Sequence, residues 1–416
     1  MLKILRSNDK VDIEALFSRR SVRMSEAEAV VGPILEAVRE RGDAALVEYA
    51  RQFDGLDGDS VRVAPERMLA AAAALDNPLR EAVAVASEQI RAYAKQQLPK
   101  EWSEEVGGVR LGQIVRPLES IGAYIPGGRY PLPSTLMMTV IPAQEAGVKT
   151  VSAASPAMSP ATLGVAGILN VDNFFHMGGA QAIAAFAFGT ATVPKAQRIV
   201  GPGNIYVAAA KKILAGETGI DFVAGPTEIL LISMDGDPRH LAADILAQAE
   251  HDVDAAAILL TTSREHAERV VEAVETQLST LPTAEVAHQV VERNSAVVVC
   301  NSLQEACAIS NRFAPEHLSI PSAELLSEIE NAGSVFVGAW SPEAAGDYAS
   351  GPNHVLPTGG TAALRGGLSI LDYVKIISVQ ELSPAGLRRL APAITRLARA
   401  EGLEAHARSV EVRLND

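Results

Sequence analysis

Cysteine is almost absent from this 416-residue chain; Cys300 and Cys307 are the only two. Two thiols exclude a disulfide framework and a cysteine-based zinc cluster. Cys300 ends the apolar run AVVVC and Cys307 lies in LQEACAIS, so both read as small core residues. An aldehyde oxidation built on a thiolate nucleophile is therefore disfavoured. Aromatic residues are scarce, at 4%, and cores must be made from Ala, Val, Leu and Ile. Basic residues are in the minority: 36 Lys and Arg face 50 Asp and Glu, a net charge of −14. That balance makes nucleic acid and anionic membrane poor partners. No block of like charge suggests an interaction tail. Long apolar runs are missing too. The most apolar region, 156–190, is broken by Pro160, Asn170, Asp172, His176 and Gln181. The start, MLKILRSNDK, turns polar too soon for a signal peptide. A soluble, cytoplasmic protein is expected.

What is present is a globular composition, 48% hydrophobic, with enough length for two domains. Residues 1–20 read as mixed and helical. Helical spacing runs through 25–55 and again through 65–99, with a split near Asn77 and Pro78. From about 108 the pattern changes. Strands end in the glycine turn of YIPGG, and apolar strands then alternate with helices as far as GSVFVG at 333–338. Such alternation predicts α/β architecture: parallel sheets covered by helices, with sites at the carboxyl ends of strands. The tail after about 375 reads as helix.

Five of the eight histidines have unusual neighbours: His176, His251, His317, His354 and His406. His240, His266 and His288 sit among charged residues and read as solvated. Gln248 and His251 are three apart, so on a helix they share a face and suit one metal ion. The competing reading is a polar helix end satisfying its own carbonyls. AGDYASGPNHVLPTGG (345–360) reads as a loop holding Asp347 and His354; Asp347 is alternatively a turn former. Pro315 ends a helix at Ala314. Glu316 and His317 then fall on a helix-to-strand junction, where a carboxylate and an imidazole can both reach a cleft as proton-transfer groups. Glu401 and His406 occupy what looks like an ordinary charged helix. GPGNIY (201–206) and YIPGGRYPLPS (124–134) are glycine turns leading into helices, whose N-termini could meet phosphate. Either is alternatively just a tight turn.

YIPGG, GGAQAIAA, GPGN, AGPTE, AQAEHD, PEHLSI, GDYASGPNHVLPTGG and EGLEAHA follow one another in that order. The series resembles the histidinol dehydrogenase family, from about residue 25 to 413. The resemblance implies an NAD-dependent, zinc-containing homodimer that oxidises L-histidinol through L-histidinaldehyde to L-histidine. It implies two incomplete Rossmann-like domains of the aldehyde/histidinol dehydrogenase type, with small helical terminal pieces that reach the partner. In this numbering the pieces are 1–24, an N-terminal extension; 25–118 with 226–370, carrying metal and catalytic residues; 119–225, binding NAD; and 371–416, a tail reaching the partner's site. The implied zinc ligands are Gln248, His251, Asp347 and His406, the last from the partner chain. Thr227, where many members have Ser, would contact substrate with His317, His354 and Glu401. Tyr124, Gln181 and Asn204 would bind NAD. His317 would take the alcohol proton, and Glu316 would activate water for the second oxidation.

One alternative is a relative oxidising another small polyol, such as a sulfonated diol. A zinc hydrolase with Glu316 as base is a different class, disfavoured because four protein ligands leave no position for a metal-bound water. A non-catalytic protein with a structural metal is a third.

Overall fold

The computed structural model describes residues 2–18, 24–127 and 130–414. The chain opens on a strand, β1 (Lys3–Arg6), before α1 (Lys10–Ser18). The helical extension expected over 1–24 is thus corrected. Its first residues pair in parallel with the strand at 296–299 and join a sheet. Four helices follow: α2 (Met24–Arg41), α3 (Asp43–Phe53), α4 (Pro65–Ala74) and α5 (Asn77–Gln97). Asp76 caps α5 by accepting the Leu79 N–H, with Pro78 in the first turn. A hairpin of β2 (Trp102–Val106) and β3 (Val109–Pro117) then turns through Gly107 and Gly108. Both have positive φ, 60° and 77°, as a two-residue hairpin turn demands.

Alternation begins at β4 (Ser120–Tyr124). It continues with α6 (Pro133–Ala146), β5 (Thr150–Ser155), α7 (Pro160–Ile168), β6 (Asn173–His176) and α8 (Gly179–Phe188). It closes with β7 (Arg198–Val200), α9 (Ile205–Leu214) and β8 (Gly219–Ile220). The five strands form one parallel sheet in the order β6-β5-β4-β7-β8. Helices α2 to α5 pack on this sheet. Val31, Leu35 and Leu46 share a core with Phe175 and Ile183, and Met68 and Ile90 share one with Ile121 and Val140. Helices α2 to α5 thus share their buried residues with the five-stranded sheet. Periodicity shows that a helix has an apolar face, not which sheet will cover it.

The closest approach in this layer is at α7. A Cβ on Gly167 would lie 2.4 Å from the Met68 carbonyl oxygen in α4. Alanine favours a helix by about 1 kcal/mol, but here it would push on backbone, and overpacking costs about 1–3 kcal/mol. Gly167→Ala should lower stability in urea unfolding. Gly32→Ala in α2, where a Cβ meets nothing within 4 Å, should not.

The second parallel sheet takes β9 (Glu228–Ile232), α10 (Pro238–Ala249), β10 (Ala256–Thr261), α11 (Arg264–Leu278) and α12 (Ala284–Arg293). Next come β11 (Ala296–Val299), α13 (Leu303–Phe313), β12 (His317–Ile320), β13 (Ser334–Val337) and α14 (Glu343–Tyr348). The strand order is β1-β11-β10-β9-β12-β13. Strands β9 and β10 are buried along their whole length, as strands covered on both faces must be.

The tail is not helical from 375. β14 (Val374–Leu382) pairs antiparallel with β3 in a three-stranded sheet, β14-β3-β2, before α15 (Pro384–Ala400) and α16 (Glu404–Glu411). This sheet exposes Trp102, Val106, Leu111, Ile376 and Val379.

Candidate active site

The ligand-type and proton-transfer side chains meet at the amino ends of the six-stranded sheet. Thr227 immediately precedes β9, and Glu316 and His317 stand at the start of β12. Helix α10 runs back from the carboxyl edge and delivers Gln248 and His251 to the same edge. The expectation of carboxyl-end sites fails for this sheet. Its active edge is where α10 ends and where Ala314, with φ of 48° before Pro315, turns the chain into β12. The C-terminal carbonyls of α10 add negative potential there.

His317 is 3% exposed. Its Nδ1 lies 3.2 Å from the Glu228 carbonyl oxygen. A carbonyl only accepts, so Nδ1 carries the proton and Nε2 keeps its lone pair. Nε2 is buried with no hydrogen-bond partner, 3.8 Å from Asp347 Oδ1. Burial pulls the imidazole pKa down to about 4, which keeps the ring neutral near pH 7. A neutral imidazole with a free, inward nitrogen is a proton acceptor. Glu316, also buried, accepts from the Thr227 hydroxyl at 2.6 Å and the Glu228 N–H at 2.9 Å. Burial nevertheless pushes its carboxyl well above the usual range, which makes its ionised form a stronger base.

His251, Glu343 and Asp347 each offer a ligand atom, and these atoms lie within 4.8 Å of one another. Gln248 is fully buried beside them. Its amide lies 2.9 Å from Thr227 Oγ1. Turned so that its nitrogen faces Glu343, it donates to both carboxylate oxygens, at 2.5 and 3.3 Å. Glu343 was not found from the sequence. It lies one helical turn before Asp347 in α14, so both share a face; reading 345–360 as a loop hid that spacing, and Asp347 is corrected from loop to helix. Burial first, then Asp347, Glu316 and Asp244, hold the Glu343 carboxyl well above its ordinary range. Carboxyl groups crowded in this way favour a cation among them.

His354 is half-buried and already engaged. Its Nδ1 is 2.8 Å from the Asp347 carbonyl oxygen and its Nε2 3.1 Å from Thr135 Oγ1. It pins the segment after α14 to α6. Glu401, at the end of α15, and His406, in α16, are both exposed. Among the described residues, His406 does not join the metal-type group.

Tyr124, Gln181 and Asn204 lie at the carboxyl ends of the five-stranded sheet, after or beside β4, β6 and β7. The Tyr124 hydroxyl accepts the Gly179 N–H at 3.2 Å, and burial pushes it up to about 12. Gln181 donates to Asp54 Oδ2 at 3.1 Å, and the same carboxylate accepts the Gly178 N–H at 2.8 Å. Asp54, at the end of α3, was missed; nothing in its local sequence places it at a distant helix start. Asn204 caps α9, accepting from Tyr206 and Val207 N–H. Gly128 and Arg129, within the YIPGGRYPLPS turn, lie outside the described residues.

The remaining polar residues have structural work. Glu250 accepts from the Thr283 hydroxyl at 2.6 Å, and Asp252 accepts the Asp254 N–H in a turn. His176 Nε2 is 2.9 and 3.1 Å from the Asp54 and Pro156 carbonyl oxygens. Burial raises both thiols, that of Cys300 to about 12, so neither supplies a thiolate. His240 and His288 are exposed as expected, but His266 is corrected: it is 1% exposed, with both ring nitrogens unpartnered. Burial lowers its pKa. The unfolded chain then binds a proton that the folded one refuses, so stability falls as pH drops below about 6.5. Urea unfolding at pH 7.5 and 5.5 should show a larger loss for the unaltered protein than for His266→Leu.

Comparison with known proteins bears on this arrangement. The family model described as histidinol dehydrogenase matches residues 17–414. A histidinol dehydrogenase from Geobacter metallireducens is 46% identical, covering 99% of this chain and 98% of its own. One from Thermus thermophilus is 48% identical, covering 97% and 98%. A crystal structure of histidinol dehydrogenase from Elizabethkingia anophelis superposes with a TM-score of 0.95 at 37% identity, covering 100% of this chain and 98% of that one.

Proposed function

The chain belongs to the histidinol dehydrogenase family, and from that premise we propose which residues perform its reaction. It is an oxidoreductase acting on histidinol in histidine biosynthesis. Among the described residues no helix is long and apolar enough to cross a membrane. The proposed reaction is the four-electron oxidation of L-histidinol to L-histidine through the aldehyde, with NAD as oxidant and zinc at the site.

The observation that carries this reading is the junction of two groups. A neutral imidazole with an unpartnered Nε2 stands beside a buried carboxyl, at the edge of a metal-type cluster. The ligand atoms fit a small cation: one imidazole and two carboxylates converge, with the Gln248 amide alongside. Gln248, His251 and Asp347 would hold zinc with the partner subunit's His406. Zinc, when bound, would fix the substrate's imidazole and amino nitrogens. Glu343 would orient Gln248. The cofactor site fits as well. At Gly201 and Gly203 an added Cβ would meet the Tyr124 carbonyl oxygen at 2.2 Å and Val207 at 2.4 Å, leaving a bare backbone turn before a helix. Tyr124, Gln181 and Asn204 would line that site, and NAD would accept the hydride.

His317 Nε2 takes the alcohol proton while the carbon loses hydride. Glu316 then takes a proton from water as the oxygen adds to the aldehyde carbon, and a second hydride leaves. Thr227 bridges the two halves of the site, donating to Glu316 and meeting Gln248. Thr227, Glu401 and His354 would contact the substrate, His354 by giving up Thr135 or through its ring face. Exposed apolar residues on the β14-β3-β2 sheet suit a dimer contact that would bring α16 to the partner's site. The test is spectroscopic. Zinc-loaded protein with NAD should produce NADH absorbance on addition of L-histidinol, and not on addition of a sulfonated diol. The reverse pattern would replace this reading with the polyol alternative.

A further inference from the structure

A buried ion pair lies beneath the turn that carries Asn204. Lys211, near the end of α9, and Asp221, just after β8, have side chains 4% and 1% exposed, with Nζ 2.6 Å from Oδ1. Helical side chains lean towards the helix N-terminus, so Lys211 reaches back to the turn before its own helix. There Nζ donates to the Gly201 carbonyl oxygen at 2.5 Å. The other oxygen of Asp221 accepts the Gly201 N–H at 2.8 Å. One ion pair thus holds both backbone polar groups of a single residue. Gly201 has φ of 110°, a conformation that few other residues would accept. It is pressed against Tyr124, and Gly203 against Val207. Asp221 is itself anchored: Oδ1 accepts the Phe222 N–H at 2.6 Å, and its carbonyl oxygen accepts from Arg365.

A buried ion pair is a poor source of stability, because desolvation offsets most of the attraction. What this pair supplies is geometry at a strand-to-helix turn. A turn of that kind must be ordered to meet a pyrophosphate, and ordering it during binding would weaken affinity. We propose that Lys211 and Asp221 are positioning residues for the dinucleotide, holding Gly201–Asn204 in its binding shape before the cofactor arrives. This rests on the reading of Asn204 as a cofactor contact.

The experiment uses full-length, zinc-loaded protein and NADH fluorescence. Lys211→Met/Asp221→Asn removes both charges and keeps an acceptor for the Gly201 N–H. Its NADH Kd should rise about tenfold, while the L-histidinol Kd from calorimetry stays within about twofold. Asn204→Ala tests the underlying reading and should also weaken NADH. If Asn204→Ala weakens NADH and the folded double variant does not, the clamp is overturned alone. If Asn204→Ala changes nothing, the cofactor reading of this turn falls and the clamp with it. A measurement on the unaltered protein does not depend on the variants folding. The Gly201 amide should exchange with deuterium slowly even without NADH. Fast exchange that slows only when NADH is added would overturn pre-ordering.

Discussion

Glu316→Gln should split the reaction in two. The variant keeps the shape of the side chain and an oxygen for the Glu228 N–H, but it cannot take a proton from water. Loss of a general base costs about 10²–10⁴ in rate, and here the loss should fall on the aldehyde-to-acid half. The first hydride transfer depends on His317, whose Nδ1 hydrogen-bonds the Glu228 carbonyl at 3.2 Å, with Glu316 Oε2 farther off at 3.7 Å. Supplied with L-histidinol, the variant should stall at the aldehyde level, and a carbonyl trap should collect it. Supplied with L-histidinaldehyde, it should be nearly inert. Oxidation of the aldehyde at the normal rate would show that Glu316 is not the base and that water is activated elsewhere.

The second large effect concerns the partner chain. Within one chain His406 lies exposed on α16 and does not reach the group of His251, Glu343 and Asp347. If it serves the partner's site, His251→Ala and His406→Ala are complementary lesions. Each variant alone should be inactive. A mixed dimer keeps one complete site, formed by the intact His251 of one chain and the intact His406 of the other. Random subunit exchange makes about half the dimers mixed, so activity should recover to roughly one quarter of the unaltered level. No recovery after mass spectrometry has confirmed exchange would rule out a shared site.

Much of this architecture was legible because the signals were local. The split near Asn77 and Pro78 marks the start of α5. Apolar strands between amphipathic helices mark parallel sheets. Glu316 and His317 were found from one proline, because Pro315 fixes where the helix stops. What was missed depends on contacts between distant segments. A strand at the extreme start, β1, is recognisable only by its partner β11. β14 is exposed along nearly its whole length, so no buried face imposes alternation, and its register comes from β3. Glu343 sits in a helix of six residues, too short to show a period, and its i, i+4 spacing to Asp347 has meaning only on that helix. Asp54 and Asp221 act on backbone groups more than 15 residues away, and no periodicity announces such a pairing. The His406 assignment is of another kind again: it came from family resemblance, and a single chain's geometry does not supply it.

Two successive oxidations at one site fix the yield of reduced cofactor per substrate. The most direct measurement is the ratio of NADH formed to L-histidinol consumed, run to completion with limiting substrate on protein of known zinc content. Two NADH for each histidinol, with histidine as product, is the predicted result. One NADH with released aldehyde, or none with zinc intact, would contradict it.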